Sequence, residues 1–245
     1  LFGLGLKAKA VFFAGEKWAQ LQETVHAHLA VALPYAPGAA AILQARGVPT
    51  VQAGLPMGIV GTSRFLRTVA AAAGAQDRAE AWLADELARC KPLYELARRR
   101  LAGRRFAVFA DAPRAAGLTA LLLEVGMVPA AVGALHFSPG NALTIQQILR
   151  DHHDQPDLPA VRWLADPAPG DALRLVGQDC DVVLGSTIER DELAATGLPF
   201  VEFGFPSETR HFLFHAPYVG IVGALRVLEQ VLMALERQPK RGRQP

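Results

Sequence analysis

Two histidines four residues apart, His211 and His215, stand in a loop with Pro206, Glu208 and Arg210, between a short apolar stretch and the last amphipathic stretch of the chain. Histidine titrates near neutral pH, and its ring nitrogens bind iron or zinc, so either residue offers a proton donor or a metal ligand. At helical spacing the two would share one face. Composition alone leaves functional and structural readings of them open. Arg114 is the second candidate. It follows Asp111-Ala112-Pro113 at a strand-to-helix junction, where backbone N–H groups and the helix dipole attract anions. One reading makes Arg114 a ligand for a phosphate, a carboxylate or an anionic cluster; the other has Asp111 cap the helix while Arg114 points into water.

Other groups carry less. His152-His153-Asp154 would need a third, converging ligand to hold a metal, and its Asp-Gln-Pro-Asp surroundings read as a solvated loop. His26 and His28 are expected at core or edge positions of a strand. Cys90 and Cys180, the only two cysteines, cannot form a disulfide framework or a CxxC site and are expected to be buried and inert. No GxSxG, GxGxxG after a strand, or Walker loop is present, so the nucleophile-elbow, dinucleotide and P-loop readings lose their main support.

The elements that must place these residues alternate. Strands are expected at Lys9–Phe13, His28–Leu33 and Val48–Ala53. Helical turns are expected over Glu16–Thr24, and helices over Tyr35–Arg46 and over Arg64–Ala73, the last capped by Thr62 or Ser63. Ala75–Ala102 reads as a long helix that Pro92 kinks or splits. After it, strands at Phe106–Ala110, Val128–Leu135, Val161–Leu164, Asp181–Leu184 and Phe200–Phe203 alternate with helices at Ala115–Val125, Thr144–His152, Gly170–Val176 and Glu189–Thr196. Pro217–Glu236 closes the chain, with Ile221, Leu225, Leu228, Leu232 and Leu235 on one face. Short apolar runs separated by helices are the pattern of a parallel α/β sheet, and ligands of such sheets bind beyond the strands' carboxyl ends. The expected organisation is an α/β unit over 1–75, a helical connector over 76–102, a second unit over 103–236 and a disordered basic tail over 237–245.

The 245 residues are 51% hydrophobic and 20% charged, with mean hydropathy +0.20. That suits a soluble α/β protein and hints at a subunit interface. Net charge is +2, and the one dense basic run, Lys240-Arg241-Gly242-Arg243, reads as a solvated tail rather than a nucleic-acid surface. No uninterrupted apolar stretch is long enough to span a membrane, and Leu1–Gly15 lacks a signal-peptide pattern, so the expected compartment is the cytoplasm. A start at Leu1, within LFGLGLKAKAVFF, reads as the middle of a domain and implies a truncated or processed product.

Several motifs resemble those of nitrogenase component 1 and of the dark-operative protochlorophyllide and chlorophyllide reductases. Gly204-Phe205-Pro206, followed by a loop and then Pro217-Tyr218-Val219-Gly220-Ile221-Val222-Gly223, is similar to the family's C-terminal GFP turn and P-[YF]-x-G-[YF]-x-G motif. Leu55-Pro56-Met57-Gly58 with Thr62, Leu101-Ala102-Gly103-Arg104-Arg105-Phe106 and Glu124-Val125-Gly126-Met127 resemble further family stretches in the same order. The resemblance implies two Rossmann-like parallel-sheet units joined by a long helical connector and closed by a C-terminal helix. It also implies partners, a homologous nitrogenase-like subunit and an ATP-dependent iron protein, in a hetero- or homo-oligomer. The implied cofactor is an iron–sulfur cluster or nitrogenase-type metallocluster in the intact complex.

By the same resemblance Arg114 corresponds to an arginine near the cofactor, His211 is the nearest candidate for a metal-ligating histidine, and His215 is a further cofactor-binding candidate. The chain departs from the family at Ala32-Leu33-Pro34-Tyr35, where catalytic subunits place a ligating cysteine, and it begins after the domain that carries the cluster cysteines. Three functions follow: part of a nitrogenase-like reductase enclosing a metallocluster or tetrapyrrole site, a non-catalytic scaffold or cofactor carrier, or a small-molecule-binding α/β protein. The EFGFPS form of the turn inclines toward the chlorophyllide-reductase-like or uncharacterised branches.

Overall fold

The computed structural model describes residues 2–12, 15–35, 37–135, 163–168, 170–176, 180–209 and 216–237. The chain forms two compact units, Leu1–Pro56 with Gly61–Arg89, and Met57–Val60 with Cys90–Pro245. The first contains helix α1 (Trp18–Gln22), strand β1 (Ala30–Ala32), helix α2 (Pro37–Ala45) and strand β2 (Thr50–Gln52). It also takes most of α3 (Gly58–Ala73) and the start of α4 (Gln76–Leu101). β1 and β2 pair in parallel, Ala30 opposite Thr50 and Ala32 opposite Gln52. Much of this unit's core is helical: Leu66 and Ala70 of α3 pack with Ala79 and Leu83 of α4, with Ala75 between the helices and Leu4 beside them. The four-residue spacing within each helix sets these side chains on one face.

The expected strand at Lys9–Phe13 does not form over residues 9–12. Val11 is 53% exposed, and its amide donates to Glu16 Oε1 at 2.9 Å rather than to a neighbouring strand. Four apolar or small residues gave the pattern of a strand but no partner to pair with. Pro92 does not split α4, which runs through it for 26 residues. The proline withdraws a donor from the Ala88 carbonyl one turn back, close to the Arg89–Cys90 step where the two units divide.

The second unit holds β3 (Arg105–Asp111), α5 (Ala112–Glu124), β4 (Val128–Leu135), β5 (Trp163–Ala165), α6 (Asp171–Val176), β6 (Val182–Gly185), α7 (Thr187–Leu193), β7 (Phe200–Glu202) and α8 (Gly220–Glu236). Its five strands are all parallel, in the order β5-β4-β3-β6-β7. Central β3 reads as a continuous apolar run because both of its faces are covered, and Phe106 through Ala110 are buried. α5 is apolar on every side, with Ala115 through Leu122 all buried, as expected of a helix with no solvent face. The expected helix at Thr144–His152 lies outside the described residues.

α3 starts six residues earlier than the sequence pattern indicates, and neither Thr62 nor Ser63 caps it. Its first turn is closed by Glu124, which accepts Ile59 N–H at 2.7 Å on Oε2 and Val60 N–H at 3.1 Å on Oε1. A carboxylate there meets both the unpaired amides and the positive end of the helix dipole. Thr62 instead donates to the Pro56 carbonyl at 3.2 Å. Gly58 has φ +73°, and a Cβ on it would lie 2.4 Å from Glu124 Oε1, so the turn admits only glycine.

The closing helix begins at Gly220, not at Pro217, because Val219 is extended (φ −114°, ψ 161°) and Gly220 turns the chain at φ +78°. Its most buried residues are Ile221, Gly223, Ala224, Val227, Leu228 and Val231, while Leu225, Leu232 and Leu235 are only half-buried. The apolar stripe is therefore rotated from the one expected, and the helix starts tight against the turn before it. At Gly223 a Cβ would sit 2.6 Å from the Tyr218 carbonyl carbon. Gly→Ala inside a helix ordinarily gains about 1 kcal/mol. At Gly223 the clash with backbone reverses the sign, and G223A is expected to lose about 1–3 kcal/mol in chemical denaturation; a neutral or stabilising effect would show that no close approach exists.

Candidate functional site

The chain lays down β3, β4 and β5 outward in one direction, then returns to the other side of β3 to add β6 and β7. The reversal falls between β3 and β6, and in open parallel sheets this switch point is where the loops diverge and leave a crevice at the carboxyl ends. Two junctions flank it: Asp111–Arg114 after β3 and Gly185–Thr187 after β6. One strand further stands Glu202, the last residue of β7.

Asp111 caps α5 through Oδ1, which accepts Arg114 N–H at 3.2 Å, and its other oxygen takes the Arg114 Nε–H. The side chains of Arg114 and Asp111 are 35% and 13% exposed. Of the capping reading, the aspartate's part holds, but the arginine folds back onto it instead of pointing into water. Nε is one of five guanidinium donors. A planar fork steadied by one ion pair suits a carboxylate or phosphate bound in two-point fashion.

The β6 junction is closed by its own side chains. Ser186 and Glu189 form a capping box, with Ser186 N–H and Oγ–H donating to Glu189 Oε2 at 2.8 and 2.6 Å and Ser186 Oγ accepting Ile188 N–H at 3.2 Å. Its donors are used within the junction itself.

Glu202 anchors the turn after β7. Its Oε1 accepts Thr187 Oγ–H at 2.9 Å, Ser207 Oγ–H at 2.8 Å and Thr209 N–H at 3.3 Å. Its Oε2 takes Arg190 at 3.1 Å and the Thr209 hydroxyl. The residue is 7% exposed. Burial pushes its pKa up, but the hydrogen bonds from Thr209, Ser207 and Thr187 outweigh burial and hold the carboxyl at about 2. Thr187 also accepts Glu208 N–H at 2.9 Å on its hydroxyl and gives its own N–H to the Pro206 carbonyl at 3.0 Å. Every residue from Pro206 to Thr209 is therefore tied to Thr187 or Glu202. Beneath the turn, Phe203 meets Tyr218 edge-on at 4.6 Å between ring centroids.

His211 and His215, and the His152-His153-Asp154 group, lie outside the described residues. His26 and His28 both precede β1 and occupy neither the core nor a strand face; the segment before Ala30 takes a 3-10 turn instead. Among the described residues no group of three His, Cys, Asp or Glu side chains converges. Cys90 and Cys180 are buried and fall in the second unit away from its carboxyl edge, one within α4 and the other just before β6. Burial pushes the Cys180 thiol up to about 11, and it donates to the Val182 carbonyl at 3.2 Å. Neither thiol belongs to a convergent ligand group among the described residues, so neither fits an iron–sulfur cluster, which several thiolates hold together.

Glu202 and Glu124 stand in stretches read by resemblance, EFGFPS and Glu124-Val125-Gly126-Met127, but the resemblance gives neither a role of its own. Each carried a physical signal nonetheless. Glu202 is a lone acid in the apolar run Phe200–Phe203, which demands a buried partner, and Ser207 and Thr209 stand five and seven residues on. Glu124 ends its own helix, where its charge opposes the dipole, a sign that it serves another element.

The profile of the family "Nitrogenase component 1 type Oxidoreductase" matches residues 1–236. A nitrogenase molybdenum-iron protein beta chain of Frankia alni is 26% identical over 191 residues, 75% of this chain and 34% of the relative. A light-independent protochlorophyllide reductase component of Heliobacterium modesticaldum is 29% identical over 245 residues, 93% of this chain and 44% of the relative. A solved structure of nitrogenase Cp1 at pH 6.5 superposes with TM-score 0.78 at 20% identity, covering 96% of this chain and 54% of that one. The chain thus spans about a third to a half of the length of the curated relatives it matches. No described helix is long and apolar enough to cross a membrane. With a parallel α/β architecture and a family match over nearly all of its length, the chain belongs to the nitrogenase component 1 type oxidoreductases.

Proposed function

We propose that this chain is part of a nitrogenase-like reductase whose second unit walls a site for an anionic tetrapyrrole. In this reading a homologous subunit completes the site and an ATP-dependent iron protein delivers the electrons. The observation that carries it is the position of Arg114 at the β3/β6 switch point, half-exposed and steadied by Asp111. An anchored guanidinium favours a ligand with carboxylates, and the absence of a convergent group of His, Cys, Asp or Glu among the described residues weighs against a cluster held by this chain's described residues. The relative that matches over 93% of the chain is a component of a protochlorophyllide reductase. His211 and His215 are proposed as further ligand contacts, with His211 the metal ligand if the site takes a metallocluster instead.

The test is anaerobic purification of the intact protein with its partner subunit, followed by pigment extraction, iron analysis and a visible spectrum. R114A is expected to weaken retention of the anionic pigment about tenfold to a hundredfold, the loss of one charge-assisted contact, with thermal unfolding unchanged. Unaltered retention in both R114A and H211A would sink the site. The second reading, a non-catalytic scaffold or cofactor carrier, is supported by the sequestration of both thiols. It predicts pigment or cluster binding without turnover when the iron protein, ATP and reductant are supplied.

A further inference from the structure

Phe205 is 82% exposed, although it sits between the buried Phe203 and the half-buried Pro206. Leaving a phenylalanine in water forgoes about 1.5–3 kcal/mol of burial, and Phe205 is the most exposed of the described large apolar residues, above Trp18 at 73%. The backbone around it is held by hydrogen bonds. Pro206 accepts Thr187 N–H at 3.0 Å, Ser207 donates to Glu202 at 2.8 Å, and Glu208 N–H donates to Thr187 at 2.9 Å. On the other side Phe203 N–H bonds the Gly185 carbonyl at 2.6 Å, continuing the β6–β7 pairing past the strand. The ring is thus presented by a turn whose ordering is complete before any ligand arrives, which lowers the entropic cost of binding.

Its place relative to Arg114 gives it a ligand class. Arg114 follows β3, and Phe205 stands three residues past the end of β7, two strands away across β6, so both belong to loops at the same carboxyl edge, on strands about 10 Å apart. One offers an apolar face and the other a forked cation, and the closed Ser186 junction lies between them. We propose that Phe205 is the apolar contact of the switch-point site, packing against the face of a flat, conjugated macrocycle while Arg114 takes one of its carboxylates. The assignment rests on the tetrapyrrole reading above. Aromatic rings against extended π systems gain beyond their buried area, so ring size and aromaticity at position 205 set affinity, while Arg114 sets the preference for the free acid.

The experiment is a fluorescence titration of the intact protein, with whatever subunit co-purifies, against zinc protoporphyrin IX and its dimethyl ester. F205A is expected to weaken both probes about tenfold or more, and F205W to bind at least as tightly as the parent. R114A is expected to weaken only the free acid. Because the ring is exposed, F205A and F205W are expected to melt with the parent, which separates a lost contact from a lost fold. Parent-like affinity of F205A for both probes overturns the proposal while leaving the tetrapyrrole reading standing. If the parent protein binds neither probe, the tetrapyrrole reading fails and this proposal with it. Altered oligomeric state of F205A in light scattering, with porphyrin affinity unchanged, would assign the ring to a protein interface and likewise overturn it.

Discussion

Replacing Glu202 by alanine is expected to destabilise the second unit by about 3 kcal/mol at neutral pH. The carboxyl is held at about 2, against an ordinary 4.5, and each pKa unit of difference is worth about 1.4 kcal/mol. The sign follows from linkage: a group whose pKa is depressed on folding contributes its stability above the unfolded value and loses it as pH falls through the folded one. The contribution is complete above about pH 5 and vanishes between about 4.5 and 2. Truncation also strands Thr187, Ser207 and Thr209, whose hydroxyls lose their acceptor, whereas Arg190 keeps Asp191 as a partner. Thermal unfolding should fall by about 6–12 °C for a chain of this size. E202Q keeps an oxygen for Thr187 and Ser207 but turns an NH2 toward Arg190, so an intermediate loss is expected. A melting temperature for E202Q equal to the parent's would show that the charge is not what holds the turn.

Glu124 acts in the opposite direction. Burial raises its carboxyl to about 7, and the hydrogen bonds from Ile59 and Val60 offset only part of that rise. A raised acid contributes stability that is complete below the unfolded pKa and is lost as pH climbs through the folded one. Stability is therefore expected to fall by about 3 kcal/mol between about pH 4.5 and 7.5 in the parent protein. The same carboxylate lies near the phenol of Tyr94, which is buried and pushed upward by burial first and by Glu124 second. Urea titrations at half-unit intervals of pH check this, and E124Q should flatten the neutral flank while leaving the acid flank intact. For these two groups together the optimum lies near pH 4.5 to 5. A parent protein whose stability rises steadily from about pH 5 to 7.5 would refute the assignment of Glu124.

The parallel class and most of the alternation were legible, because apolar runs and turn residues are local properties of the chain, but the strand expected at Lys9–Phe13 does not form over residues 9–12 and the helix expected at Thr144–His152 lies outside the described residues. β4 was bounded correctly, and β3, β6 and β7 within about a residue at each end. What escaped was decided by contacts distant in sequence. The cap of α3 lies 65 residues away on Glu124, so the nearer hydroxyls of Thr62 and Ser63 drew the boundary too late. The stripe on α8 was misplaced because nearly every face of that helix is apolar, and the face carrying Ile221, Ala224, Val227, Leu228 and Val231 was chosen by packing on β6 and β7. Arg114 was legible as a candidate but its pairing with Asp111 was one of two open readings. Phe205 was visible only as part of a turn motif, since exposure is a property of the folded chain.

The contact between Gly58 and Glu124 has a consequence for how this sequence is free to drift. A side chain at position 58 would occupy the space that the carboxylate fills, and a shorter acid at 124 would no longer reach the amides of Ile59 and Val60. Neither position can change alone without leaving a clash or an open helix end. The two sites should therefore behave as one heritable unit: G58A and E124A are expected to be non-additive in a double-mutant cycle, and any homologue that has lost glycine at 58 should have given up glutamate at 124 as well.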